Sequence, residues 1–357
     1  MRALVARAAG EPPRVTEVEL PAPGPGEVRV AIRAAGVCHS DLSMMDGTLT
    51  PPYPLVLGHE AAGVVVAVGE AVSRVSPGGH VVLNWAPPCR RCWYCAHDEP
   101  WLCARTGSPA TARGRTRDGA RLHVTLGLGA LAEQVVVPQE AVIPVPAELP
   151  FADAALLGCA VLTGVGAVRR TAAVAPGESV AVFGLGGVGL SVVAAARAAG
   201  AHPVLAVDRA PGKAELGAAA GATEFLVADE SVHRRIRERT GGRGVDHALE
   251  CVGRADTIRT AWRATRRGGQ VTVVGMGAAD DMVELAALDI FHSARTLRSS
   301  IYGSSDPDRD VPELARAVLD GTLDLAPLIT DRIALDGAPA AFARMARGEG
   351  ARTVVLF

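Results

Sequence analysis

Six of the seven cysteines fall into two groups that could each hold a metal ion. Cys89, Cys92, Cys95 and Cys103 form a tight run among Pro87, Pro88, Arg90, Arg91 and Pro100. Four thiolates complete a tetrahedral zinc, so this run reads as a closed, structural site, with a redox Cys-x-x-Cys or buried apolar thiols as its competitors. Cys38, His59 and Cys159 are dispersed. Two sulfurs and an imidazole would leave one coordination position open, as a catalytic zinc requires. No local rule joins these three, however. Taken singly, Cys159 in its Ala/Leu-rich segment reads as a core thiol and His59 as a satisfied buried histidine. Cys251 stands apart and reads as a small apolar residue.

A second constellation is rich in glycine. An apolar run at 179–183 leads into Gly184, Gly186, Gly187, Val188 and Gly189, then an Ala-rich helical stretch to Ala199. Gly184 permits a tight turn, Gly186 lets a pyrophosphate approach the backbone, and Gly189 lets helix pack on strand. Gly187 and Val188 open the helix, whose first N–H groups suit phosphates. The plainer reading is glycines that only make a tight turn. Asp208 ends the next strand, at 203–207. Its carboxylate can accept ribose hydroxyls and would repel a 2′-phosphate, which favours NAD; the adjacent Arg209 keeps NADP as the alternative.

These residues need a scaffold. The first 150 residues read as short strands (28–33 and 63–68 among them) between Pro/Gly turns such as 21–26, with few helix signals. From about Val161 strands and helices alternate: helix 214–220, strand 224–227, helix 231–239, strand 245–250, helix 255–266 and strand 270–274. That alternation predicts an α/β fold with a doubly wound parallel sheet. Helices 311–320 and 338–347 and a strand at 352–357 follow, and periodicity alone leaves this tail with either domain.

Composition narrows the function. A chain of 357 residues can build two cored domains. No run approaches the roughly 18–20 apolar residues that span a bilayer, and Glu11, Arg14, Glu17 and Glu19 break up any signal core. A cytoplasmic protein with reduced thiols is expected, in which clustered cysteines mean metal. Net charge is −2 with both signs interspersed, so no nucleic acid or membrane partner is expected. Lys213 is the only lysine.

Cys38-His39-Ser40-Asp41, Gly58-His59-Glu60 with Gly63 and Gly69, the four-cysteine run, Cys159 and the glycine-rich turn follow one another in a familiar order and spacing. The chain resembles, over its whole length, the zinc-containing alcohol dehydrogenases of the medium-chain dehydrogenase/reductase superfamily. The resemblance implies a GroES-like β-rich catalytic domain over 1–160, a Rossmann coenzyme domain over 161–301, and a return of 302–357 to the catalytic domain. It implies two Zn2+ per chain, a catalytic one on Cys38, His59 and Cys159 and a structural one on Cys89, Cys92, Cys95 and Cys103. Asp41 would orient the ligand histidine, Glu60 would stand behind the zinc, and Ser40 would bond the substrate oxygen and start a proton relay. Thr163 matches a position near the nicotinamide, and Val252 a further coenzyme contact. Asp208 and Lys213 match adenosine-ribose contacts, while His39 and Arg352 match pyrophosphate positions; His39 also reads as an exposed loop histidine. Trp85, Met276 and Ile301 match the substrate pocket, with core packing as the other reading of Trp85.

One departure stands out. The horse-liver-type enzymes carry a histidine five residues after the first zinc cysteine, as the relay's terminal base; here the residue is Ser43. The resemblance suggests NAD-linked oxidation of primary alcohols, aromatic or medium-chain, by a homodimer built through the Rossmann sheet, with a tetramer as the alternative. A dehydrogenase of thiol–formaldehyde adducts is the alternative activity. A non-catalytic zinc protein that senses NAD(H) is the competing class, and it has no use for an open zinc site.

Overall fold

The computed structural model describes residues 1–106 and 110–357, and the chain divides into two compact units, Met1–Leu162 with Asp306–Phe357, and Thr163–Ser305.

In the first unit the β-branched runs become strands because alternate side chains bury. Val28, Val30 and Ile32 of strand Glu27–Gly36 are buried while Arg33 is exposed. This strand is central to a sheet ordered Val142–Pro144, His80–Leu83, Ala61–Val68, Glu27–Gly36, Arg352–Leu356, Ile329–Ile333, with Gln134–Pro138 also paired to it. The C-terminal strand places Val354 opposite Gly36, so the tail belongs to this unit. Pairing across the length of the chain leaves no local signal, which is why periodicity could not assign it. Strands Arg2–Ala6, Arg14–Glu19, Ala110–Thr116, Arg121–Thr125 and Leu55–Val56 close a small barrel.

The second unit holds a parallel sheet ordered Glu224–Val227, Val204–Asp208, Val180–Phe183, Val245–Glu250, Thr265–Val273, Thr296–Ser299. In chain order of the strands this is 3-2-1-4-5-6, the doubly wound arrangement that binds a ligand at the carboxyl ends of its first strands. The fold is thus α/β, a Rossmann-type sheet in one unit and a GroES-like β-rich body in the other.

Several elements differ from the sequence expectation. Helix His39–Asp46 occurs within the first 150 residues, where few helix signals stood, and helices Phe151–Leu157 and Ala160–Gly166 fall in a stretch to which the sequence assigned no element. The first buries Asp41 and Ser43 beside Met44 and Met45, so function breaks its apolar stripe. The helix expected at 311–320 begins earlier, at Pro307, because Asp306 accepts the Asp308 N–H and Asp310 accepts the Asp306 N–H, a reciprocal cap with proline at the first position. The helix expected to 266 ends at Ala264, and the next strand starts at Thr265 rather than 270. Helix Ala287–Ser293 and strand Thr296–Ser299 were not anticipated. The strand is exposed along its whole length and so has no burial alternation to read. Trp262 Nε1 fastens that helix by donating to Asp289 at 2.6 Å.

Candidate zinc and coenzyme sites

The dispersed trio converges in the first unit. Cys38 ends the extended backbone after Glu27–Gly36 and caps helix His39–Asp46. His59 follows Gly58, and Cys159 sits between helices Phe151–Leu157 and Ala160–Gly166. One sulfur of each cysteine and one ring nitrogen lie within 4.8 Å of one another, all three residues buried. Gly58 is required here: its φ is +98°, and a Cβ would stand 2.3 Å from the Leu131 nitrogen.

Asp41 organises this centre from behind. Its Oδ1 accepts the Gly58 N–H at 2.7 Å, and its Oδ2 faces His59 Nδ1 at 3.1 Å. A proton on Nδ1 leaves the Nε2 lone pair free, and Nε2 lies 3.6 Å from Cys159 Sγ, on the thiol side. Losing the acceptor for that buried N–H would cost about 1–3 kcal/mol.

Glu60 is fully buried, 3.5 Å from the guanidinium of Arg352, and accepts the Ala160 N–H at 3.4 Å. Burial pushes its carboxyl up to about 7, against the pull of Arg352. A Cβ at Gly36 would lie 2.8 Å from the Glu60 carboxyl carbon, so the space for this acid depends on a glycine that sequence reasoning missed. Arg352 is itself buried and donates to the Val37 carbonyl at 2.7 Å. The structure thus turns the guanidinium inward, toward Glu60.

The Cys159 thiol, outweighing burial, holds Cys38 well below the usual thiol range, and Cys159 is pushed well above it by Cys38 and by burial. Two buried thiols sharing one negative charge are what a divalent cation relieves, since it lets both ionise. With an imidazole as the third donor, this set fits zinc with a position left open.

The four-cysteine run gathers its sulfurs within 4.8 Å as well. Cys89 N–H donates to Cys103 Sγ at 3.2 Å and Cys92 N–H to Cys89 Sγ at 3.3 Å. The N–H groups of Cys95 and Ala104 hold Cys92 at about 6, while burial and the Cys92 sulfur push Cys95 up to about 12. Crowded thiols that cannot all ionise unaided again suit zinc, here with every position filled. Arg90, inside the run, donates to Asp306 at 2.6 and 2.7 Å and to Asp308 at 2.5 Å, and Arg74 also pairs with Asp308. These ion pairs tie the loop to the start of helix Pro307–Leu319.

Of the other first-unit residues singled out by sequence, His39 is exposed and Ser40 half-buried, both at the start of helix His39–Asp46 beside Cys38. Ser43 is buried. Trp85 is half-buried against the hydrophobic core.

The second unit carries the glycine-rich turn. Gly184 has φ +89°, and a Cβ on Gly189 would stand 1.8 Å from the Gly184 carbonyl oxygen, so neither accepts a side chain. Gly186 has nothing within 4 Å of where a Cβ would be, an open face before the helix Gly187–Ala198. That open face, over free helix N–H groups, fits a dinucleotide phosphate. Asp208 Oδ2 accepts the Leu185 N–H at 2.7 Å, its Oδ1 accepts the Ala210 N–H at 2.9 Å, and Lys213 Nζ donates to the Leu185 carbonyl at 3.0 Å. Burial pushes the Lys213 ammonium down, against Asp208. The turn is thus clasped from both sides by residues named from the sequence. Arg209, Val252, Met276 and Ile301 are exposed, while Thr163 is buried.

The comparisons agree with this geometry. The alcohol dehydrogenase GroES-like domain family matches residues 24–147, and the zinc-binding dehydrogenase family residues 187–320. The S-(hydroxymethyl)glutathione dehydrogenase of Synechocystis sp. is 35% identical over 368 residues, covering 100% of this chain and 99% of that one. An alcohol dehydrogenase zinc-binding domain protein from Burkholderia ambifaria superposes with a TM-score of 0.92 at 35% identity, covering 100% and 98% of the two chains. Benzyl alcohol dehydrogenase from Acinetobacter calcoaceticus gives 0.91 at 27% identity, covering 100% and 99%. Fold and sites therefore define a zinc-dependent dehydrogenase. The chain belongs to the zinc-containing alcohol dehydrogenases of the medium-chain dehydrogenase/reductase superfamily.

Proposed function

We propose that this protein interconverts primary alcohols, aromatic or medium-chain, and their aldehydes with NAD. The observation that carries the proposal is the open donor set of Cys38, His59 and Cys159, with Asp41 behind the imidazole. Zinc held there supplies a Lewis acid that makes an alcohol hydroxyl acidic near neutral pH, and the coenzyme supplies the hydride acceptor.

The chain's own residues do the rest. Asp41 fixes the His59 tautomer, and Glu60 with Arg352 places a compensated charge pair beside the sulfurs. Ser40, two residues after Cys38, takes the hydroxyl proton and passes its own onward. Ser43 offers no base near pH 7, so the proton leaves through water or His39. His39, exposed at the start of the same helix, and Arg352, which also pairs with Glu60, are the pyrophosphate residues. Asp208, with both oxygens already fixed by Leu185 and Ala210, is set to accept ribose hydroxyls, and this supports NAD over NADP. Thr163, Val252 and Lys213 are the remaining coenzyme residues, and Trp85, Met276 and Ile301 the pocket residues.

The decisive assay is metal content together with a panel of alcohols and aldehydes, each with NAD and NADP. Two zincs per chain and turnover of benzylic or aliphatic primary alcohols with NAD are expected. One tightly held zinc without turnover would sink the catalytic reading.

A second reading, oxidation of the glutathione–formaldehyde adduct, is favoured by the name of the Synechocystis relative. Formaldehyde with glutathione outpacing every simple alcohol would decide for this reading.

We also propose a homodimer. Among the described residues strand Thr296–Ser299 pairs on one side only, as the edge of its sheet, and the helix before it leaves Leu288 and Phe291 exposed, a face that a second copy can cover. A monomer in sedimentation, or a Phe291→Asp variant with unchanged mass, would rule this out.

A further inference from the structure

Strand Val245–Glu250 ends on a fully buried carboxylate that sequence reasoning passed over. Beyond it the chain leaves the sheet, and the N–H groups of Val252 and Gly253 have no strand to pair with. Glu250 supplies the acceptor. Its Oε1 takes the Val252 and Gly253 N–H groups at 2.9 Å each, and its Oε2 takes the Gly253 N–H at 3.0 Å. The Thr257 hydroxyl donates to Oε1 at 2.7 Å. The main-chain oxygen of Glu250 accepts the N–H groups of Val274 and Gly275 at 2.7 and 2.9 Å. One residue therefore gathers two successive loops at the carboxyl end of the parallel sheet.

These loops have no slack. A Cβ on Gly275 would lie 2.1 Å from the Gly253 nitrogen, and one on Gly253 would lie 2.5 Å from the Met276 carbonyl carbon. The side chain that emerges is Val252, exposed and with its Cγ2 only 2.6 Å from where a Gly184 Cβ would stand. The valine thus lies directly against the glycine-rich turn, and its placement depends on the amides that Glu250 holds.

We propose that Glu250 is a positioning residue for the coenzyme: its carboxylate sets the loop that keeps Val252 against the glycine-rich turn and so shapes the wall on which the dinucleotide lies. This rests on the coenzyme reading above. A carboxylate suits the role because only donors converge on it. A glutamine brings N–H groups of its own into that ring of donors and leaves at least one clash. Thr257, at the edge of the ring, allows a gentler perturbation.

The test titrates NAD into zinc-loaded wild type, Glu250→Gln, Thr257→Val and Thr257→Ser by calorimetry, with steady-state kinetics and thermal unfolding alongside. Glu250→Gln is expected to raise the NAD Kd and the NAD KM about tenfold, leaving zinc content and the alcohol KM unchanged. Thr257→Val is expected to weaken NAD about threefold, with Thr257→Ser restoring it. A folded Glu250→Gln variant that binds NAD like wild type overturns the proposal. Equal loss across both substrates' KM also overturns it, since that marks general loosening. Should Glu250→Gln fail to fold, the threonine pair decides, and equal NAD affinity in Thr257→Val and Thr257→Ser overturns the proposal. Wild type that binds neither NAD nor NADP fails the coenzyme reading itself, a result seen before any variant is made.

Discussion

Asp41 and His59 form the hinge pin of the open metal centre: the carboxylate stands 3.1 Å behind Nδ1, both groups are buried, and the other carboxylate oxygen holds the amide of Gly58, the residue before His59. The acid therefore fixes the ring twice, once through its nitrogen and once through its backbone.

Asp41→Asn keeps the shape and removes the charge. Zinc should leave the Cys38/His59/Cys159 site about 10–100-fold more readily, with the four-cysteine zinc unaffected. Chelator-driven release, followed with a chromogenic zinc dye, checks this. Identical release curves for variant and wild type would refute the role.

The glycine-rich turn separates two effects that are usually confounded. Gly189→Ala forces a methyl to 1.8 Å from the Gly184 oxygen and should cost about 3 kcal/mol of stability, the upper end for overpacking. Gly186→Ala has free space and should unfold like wild type while binding NAD at least about tenfold more weakly, because the methyl fills the phosphate's approach. Denaturant unfolding and NAD titration together test the pair. Gly186→Ala with normal NAD affinity would place the phosphates elsewhere.

Ser43 predicts a pH profile. With no imidazole at this point, turnover should fall less steeply on the acid side than in a relay ending in histidine. Introducing one by Ser43→His should restore an acid limb near the ordinary histidine pKa of about 6.5. An unchanged kcat profile would show that the proton does not pass this residue.

Stability toward acid should depend on Asp246. Burial pushes its carboxyl up, but the Ser179 hydroxyl and amide and Arg266 outweigh this and bring it to about 2, from 3.8. A depressed folded pKa stabilises above the unfolded value, so this contribution is complete above about pH 4 and lost as pH falls toward 2. Asp246→Asn should lower stability at neutral pH and flatten the slope between those pH values. Urea unfolding across that range measures it; parallel curves for variant and wild type would count against the assignment.

Much of this was legible in the chain. The Cys89–Cys103 run is local, and its sulfurs do meet. The strand and helix periods of the second unit, from Val180–Phe183 through Val245–Glu250, were close to their observed bounds, because buried parallel strands and amphipathic helices write their periods into the sequence. Helix His39–Asp46 was hidden for the opposite reason: it spends buried positions on Asp41 and Ser43, so it lacks an apolar stripe. Strand Thr296–Ser299 was hidden because an exposed edge imposes no alternation.

The sequence by itself determined which residues can bind metal and phosphate, since thiols, imidazole and glycine turns carry that chemistry in their types and local spacing. Tertiary structure alone decided that Cys159 meets His59 across 100 residues, that Arg352 faces Glu60, and that Glu250 gathers two loops. Such contacts arise from strand pairing and backbone approach between distant segments. Local propensity holds no record of them, because their energy exists only once the sheet has brought the segments together.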